Sequence, residues 1–148
     1  MISKALEEYI KTMYVLKQQN TEIRVTDIAT KMNCSKASVT KSLNSLKEKG
    51  LVNYEAYGKI ELTEEAEEIA QKLLEAYDIV YLFLNDILEV SNSKEEAEKI
   101  KSVMSDDAIN KLARYIHKEL KLSNLDCKYD INESKCRSCI KRKGEKVC

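Results

Sequence analysis

Proline and tryptophan are absent from the 148-residue chain, and glycine occurs only three times. Little in such a sequence interrupts a helix or suits a tight turn, so the composition predicts a mainly helical fold. The single histidine excludes a site built from several imidazoles. No apolar run reaches the roughly 18 residues of a membrane-spanning helix, so no membrane partner is expected.

The start of the chain, residues 1–17, carries charges throughout and lacks the apolar core of a secretory signal peptide. We therefore expect a cytoplasmic protein, whose thiols are normally kept reduced. The sequence shows no nucleophile–base pair and no phosphate-binding loop, so we expect that the protein is not an enzyme.

Positive and negative charges balance, at 25 each, but they are unevenly distributed along the chain. Residues 36–59 hold five lysines and two glutamates, whereas residues 64–78 hold one lysine and six acidic residues. This pattern fits a chain with one surface for DNA and another for protein. Ordinary solvated helix faces would give the same pattern.

The order of predicted elements in the first 62 residues indicates a DNA-binding domain. The apolar spacing predicts a helix over 3–19, a helix over 27–32 capped by Thr26, and a longer helix capped by Ser35 and ended by Gly50. Two strands are predicted over 51–54 and 59–62. This is the order of a winged helix-turn-helix, whose second helix enters the major groove. A small helical bundle with an exposed Ser/Thr-rich helix is the alternative.

The residues predicted to contact DNA are short, polar or cationic, as base edges and phosphates require. They are Ser35, Lys36, Ala37, Ser38, Thr40, Lys41, Asn44, Tyr57 and Lys59.

Three further helices are predicted downstream. Thr63 caps a long amphipathic helix that reaches about Leu88. A capping box over Ser93–Glu96 starts the next helix, and Ser105 caps a third that ends near Leu122. The helical pattern then stops.

Four stretches resemble the diphtheria-toxin-repressor and manganese-transport-regulator family of metal-dependent repressors: LEEYIKTMYVL, RVTDIATKM, SKASVTKSLNSLKEKGLVNYE and YGKIELTEEA. The resemblance covers residues 5–62 and continues more weakly through LLEAYDIVYLFLNDIL and EEAEKIKSVMSDDAINKLARYI. It implies a winged helix-turn-helix domain over 1–62 and a helical dimerisation domain over 63–124. A homodimeric transcriptional repressor on a palindromic operator of double-stranded DNA would follow.

The resemblance also implies where Mn or Fe(II) binds in that family, between carboxylates and imidazoles. The matching positions hold Glu8, Lys11, Tyr77, Glu98, Lys101 and Ser102. Only the two glutamates are ligands of the expected kind, and two lysines would repel a dication. We therefore expect no Mn or Fe at the family site, and an ion pair between Glu8 and one of the lysines.

Residues 125–148 form a Lys/Arg-rich tail that holds four of the five cysteines. Cys127, Cys136, Cys139 and Cys148 follow the pattern C-x8-C-x2-C-x8-C. Four thiolates can hold one zinc ion or one iron–sulfur cluster, and the spacing belongs to neither. We favour a cluster, because a regulator without its ion-sensing site gains most from an iron- or redox-responsive one. A structural zinc or protein-contact module, disulfides and free thiols remain open. Cys34 is expected to be a packing residue, and His117 an ordinary surface or packing residue.

Overall fold

The computed structural model describes residues 2–19, 22–55 and 58–120, and it confirms the predicted mainly α fold. Its elements are α1 (Lys4–Gln19), α2 (Val25–Met32), α3 (Lys36–Glu48), β1 (Val52–Tyr54), β2 (Ile60–Leu62), α4 (Glu64–Leu82), α5 (Ser93–Lys101) and α6 (Asp106–Glu119). The chain divides into two compact units, residues 1–71 and 72–148, with the division inside α4. The predicted domain boundaries at 62/63 and 124/125 stay predictions.

The first unit packs three helices and a small sheet around one apolar core. Ile10 and Met13 on α1, Ile28 on α2, and Leu43 and Leu46 on α3 are all fully buried in it. Full burial of one such side chain contributes about 1.5–3 kcal/mol, whereas a helix cap typically contributes about 1 kcal/mol. The core therefore fixes which face of each helix points to solvent.

The sheet completes this core from the other side. Strands β1 and β2 pair antiparallel, with Val52 opposite Leu62 and Tyr54 opposite Ile60. Val52, Ile60 and Leu62 are buried, while the intervening Glu61 is exposed. Because side chains alternate across a strand, the pairing register sets one apolar face and one solvent face.

Two helix starts differ from the sequence prediction. Helix α2 begins at Val25 instead of residue 27, because the Asp27 carboxylate accepts a hydrogen bond from the Arg24 backbone N–H at 3.2 Å. Thr26 is thus inside the first turn and is not the cap. Ser93 is the first residue of α5, and its hydroxyl donates to Asn85 Oδ1 at 3.1 Å instead of forming the predicted capping box.

Other helix ends follow the prediction. Gly50 follows α3 with a left-handed φ of +73°, a conformation that favours glycine. Thr63 precedes α4, and its hydroxyl oxygen accepts from the Ala66 N–H at 3.4 Å. Ser105 caps α6 by accepting from the Ala108 N–H at 3.1 Å. Three of the predicted caps are therefore confirmed here.

The second unit is built from the end of α4, a π-helical turn over Phe83–Ile87, α5 and α6. Its core includes Ile79, Val80, Ile109 and Ile116, all almost fully buried. His117, in the last turn of α6, is also buried, so it is a packing residue and not a surface one. None of the described helices is both long and apolar enough to cross a membrane.

Candidate DNA-binding surface

The connection between α2 and α3 is short because Asn33 adopts a left-handed conformation, with φ at 53°. Asparagine tolerates this region better than most residues. The Asn33 and Cys34 N–H groups donate to the carbonyls of Thr30 and Ala29, which ends α2. Ser35 then caps α3 by accepting from the Ser38 N–H at 3.1 Å, as predicted. The turn therefore sets the direction in which α3 leaves the core.

Helix α3 has two distinct faces. Val39, Leu43 and Leu46 are fully buried. The predicted contact residues on the other face are exposed, apart from the half-buried Thr40, whose hydroxyl donates to the Lys36 carbonyl at 3.0 Å. The exposed members are Lys36, Ala37, Ser38, Lys41 and Asn44, together with the capping Ser35. The contact residues predicted for α3 therefore lie together on its solvent-facing side.

A groove of about 920 Å³ lies between the start of α2, the start of α3 and the β1–β2 ribbon. Lys36 and Lys59, which are distant in sequence, both line it, and Arg24 joins them. Its walls also include Glu22 and Glu61. The sequence prediction did not include Arg24. The only indication in the sequence is that this cationic residue directly precedes α2. Tyr57, another predicted contact residue, lies outside the described residues.

The cations of this region are available for an anionic partner. Within residues 22–55 and 58–62, none of the seven Lys and Arg side chains forms an ion pair with a described residue. Elsewhere Lys17 pairs with Glu67, and Lys111 pairs with Asp107 at 3.0 Å. An unpaired surface cation can neutralise a phosphate and release its counterion. This surface therefore has the electrostatics of a nucleic-acid contact.

Tyr9 links α1 to the turn of the helix-turn-helix. Its hydroxyl oxygen lies 3.6 Å from Cys34 Sγ. This hydrogen bond, with a further contribution from burial, raises the pKa of the Tyr9 phenol above its usual value. Cys34 is half-buried against the core, which agrees with the packing role expected of it.

At the positions that the resemblance matched to family metal ligands, both glutamates face a lysine of their own helix. Lys11 Nζ lies 3.0 Å from Glu8 Oε2 and 3.1 Å from Glu8 Oε1, so the predicted ion pair is present. Lys101 Nζ lies 3.3 Å from Glu98 Oε2.

The remaining positions of the family site hold side chains with other contacts. Tyr77 stacks on Tyr81 with ring centroids 5.9 Å apart, and the Ser102 hydroxyl donates to the Lys99 carbonyl at 2.7 Å. Across residues 2–19, 22–55 and 58–120, no group of three or more His, Cys, Asp or Glu could hold a metal ion. The donor set does not fit a divalent metal. The four tail cysteines lie outside these residues.

Residues 1–60 match the family described as iron dependent repressor, N-terminal DNA binding domain. Residues 63–119 match its companion, iron dependent repressor, metal binding and dimerisation domain. The chain belongs to the iron-dependent repressor family. Members bind DNA operators through the first domain and dimerise through the second, which confirms the resemblance, the DNA partner and the dimer. The family consists of transcriptional regulators, which confirms that this member is not an enzyme.

Individual relatives cover most of this repressor-family chain. The HTH-type transcriptional regulator MJ0568 of Methanocaldococcus jannaschii is 32% identical over 120 residues, covering 79% of this chain and 96% of its own length. The HTH-type transcriptional regulator MntR of Bacillus subtilis is 28% identical over 123 residues, which cover 80% of this chain and 87% of the MntR chain.

Solved structures share the fold. The manganese regulator SloR matches with a TM-score of 0.64 and 26% identity over 75% of this chain and 53% of its own. The metal-dependent transcriptional regulator MtsR matches with a TM-score of 0.68 and 21% identity, over 82% and 55%. The chain thus spans about half the length of these solved structures.

Proposed function

We propose that the chain is a homodimeric transcriptional repressor that reads a palindromic operator with α3 and senses iron, redox state or a metal through its four-cysteine tail. The observation that supports DNA reading best is the exposed face of α3 beside the groove, where the cations have no ion-pair partner in the described residues. The cytoplasmic location stays a prediction, and it suits a protein that acts on the chromosome.

In this proposal the exposed side chains divide the work of recognition. Lys36, Lys41 and Asn44 on α3 reach base edges and nearby phosphates in the major groove. Arg24 and Lys59 line the adjoining groove and hold the flanking phosphates. Two subunits related by twofold symmetry then contact half-sites about one helical turn, roughly 34 Å, apart.

Sensing is assigned to Cys127, Cys136, Cys139 and Cys148 because the family site offers no suitable donor set. Both of its glutamates are engaged by lysines, and the described residues contain no other group of donors. Thiolates are soft ligands that select iron–sulfur clusters or zinc over Mn(II). We favour a cluster, whose gain or loss would change the relative orientation of the two DNA-binding heads.

The first test is purification without oxygen, followed by iron, zinc and sulfide analysis of the protein. A brown sample with iron and sulfide supports a cluster. The double variant Cys136→Ser/Cys139→Ser should lose the cofactor and change affinity for a duplex selected from random DNA. Cys34→Ser is the matched control and should retain both properties.

A second measurement separates sensing from structure. Operator affinity of the wild-type chain is compared before and after mild oxidation. A colourless, zinc-containing protein whose affinity ignores oxidation and the double substitution supports the alternative, a structural zinc or protein-contact module. Loss of DNA binding in every state would overturn the repressor itself.

A further inference from the structure

Lys101 is a cation withdrawn from solvent in the second unit. Its side chain is 7% exposed, and its ammonium lies 3.3 Å from Glu98 Oε2. Lys99, two residues earlier on α5, is 75% exposed and pairs with Glu95 at the surface. A buried ammonium is strongly unfavourable without a paired anion, whereas a surface pair contributes little. The Glu98 carboxylate is therefore needed by Lys101.

The first unit repeats this arrangement on α1. The Lys11 side chain is 15% exposed, and its ammonium is within 3.1 Å of both carboxylate oxygens of Glu8. In each unit the lysine follows its glutamate by three residues, which places the two side chains on the same helix face. Each glutamate thus has a fixed cation supplied by its own helix.

These pairs lie in a chain whose second domain belongs to a metal-binding family, yet the described residues hold no group of three metal-ligating side chains. A divalent ion approaching either glutamate would meet an ammonium already at the carboxylate. Like charges at this distance repel, and solvent at the half-exposed carboxylates of Glu8 and Glu98 screens only part of that repulsion. The local charge balance that a dication would provide is already met.

We propose that Lys11 and Lys101 are built-in cations, each of which balances a glutamate at a position matched to this family's metal ligands, so that the chain needs no divalent ion there. The fold of the second unit and the DNA-competent state then require neither Mn(II) nor Fe(II). The statement about DNA rests on the proposed function, whereas the statement about the fold does not. The relative MtsR, described as metal-dependent, would differ from this chain in that respect.

Mn(II) is the probe, because it is a hard ion that thiolates bind weakly. Thermal unfolding of the full chain is followed in metal-depleted buffer and with about 1 mM MnCl2, and free Mn(II) is measured by electron paramagnetic resonance. The wild-type melting temperature should move by less than about 1 °C, and the free Mn(II) signal should not fall. Wild-type binding with a Kd below about 100 µM would overturn the proposal.

A gain-of-binding variant tests the role of the ammonium directly. Lys101→Glu/Ser102→His removes the cation and adds two ligands beside Glu98. About 1 mM MnCl2 should raise its melting temperature by roughly 4 °C or more. Lys99→Glu, an exposed charge reversal on the same helix, should show no response. If the double variant does not fold, the wild-type Mn(II) titration still decides the question.

The DNA measurement separates this inference from the proposed function. Affinity for a duplex selected in metal-depleted buffer should agree within about twofold with and without MnCl2. Binding that appears only with Mn(II) sinks the inference and leaves the repressor assignment intact. If DNA binding appears in neither condition, the repressor assignment is wrong. The Mn(II) titration then still tests whether Lys11 and Lys101 make a divalent ion unnecessary.

Discussion

The salt dependence of DNA binding should report how many cations of this surface meet phosphates. Four cationic side chains without an ion-pair partner among the described residues line the face of α3 or the adjoining groove: Arg24, Lys36, Lys41 and Lys59. If each neutralises one phosphate, a dimer neutralises about eight, and log K should fall with log [KCl] with a slope near −7. Lys41→Gln removes one contact per subunit, which should reduce the slope by about 1.8.

The assay is fluorescence anisotropy of a labelled duplex at several KCl concentrations. Lys111→Gln is the control, since Lys111 is also exposed, on α6, but pairs with Asp107. Its slope should match that of the wild type. An unchanged slope for Lys41→Gln would show that α3 does not face phosphates. An equal change in the control would show that net charge, and not this surface, governs binding.

Three further predictions concern stability. Leu43→Ala should destabilise the protein by about 2–5 kcal/mol in chemical denaturation, because Leu43 is fully buried in the core of the first unit. The exposed control Lys41→Ala should cost less than about 0.5 kcal/mol. Equal losses of stability in the two variants would show that Leu43 is not a core residue. Ser35→Ala should cost about 1 kcal/mol and speed hydrogen exchange in the first turn of α3, whereas Ser35→Asp should retain the cap. His117→Leu should stabilise the protein by about 1–3 kcal/mol, since neither ring nitrogen has a hydrogen-bond partner in the described part of the chain. A lower melting temperature for His117→Leu would instead indicate a partner from the tail or the second subunit.

The spacing of apolar residues predicted α1, α3 and the β1–β2 ribbon well. Burial in the core requires apolar side chains at regular intervals, and that regularity can be read directly from the sequence. Leu43 and Leu46 recur at helical spacing and are buried together in the core. Caps are harder to predict, since several polar side chains compete for the same backbone group. Asp27 satisfies the Arg24 N–H and moves the start of α2 by two residues. The Ser93 hydroxyl is diverted by Asn85, a residue eight positions away.

Some residues of the candidate DNA-binding surface could be predicted from local sequence, and others only from the tertiary structure. The exposed face of α3 follows from helical spacing alone, so Lys36, Lys41 and Asn44 could be named from the sequence. Arg24 could not, because it joins Lys36 and Lys59 only when the start of α2, the start of α3 and the ribbon come together. A groove made by three segments leaves no periodic signal in any one of them.

Lysines have two different environments in this chain, and the difference bears on both DNA binding and sensing. Lysines on the α3 face have no ion-pair partner within the described residues, and the proposed function assigns them to phosphates, whereas Lys11 and Lys101 pair with glutamates of their own helices. If the built-in cations balance these carboxylates as proposed, the concentration of Mn(II) or Fe(II) does not affect either pair. A signal that controls DNA binding must then enter through other donors. The sequence concentrates four of its five cysteines in residues 127–148, the segment to which the proposed function assigns the response to iron or redox state.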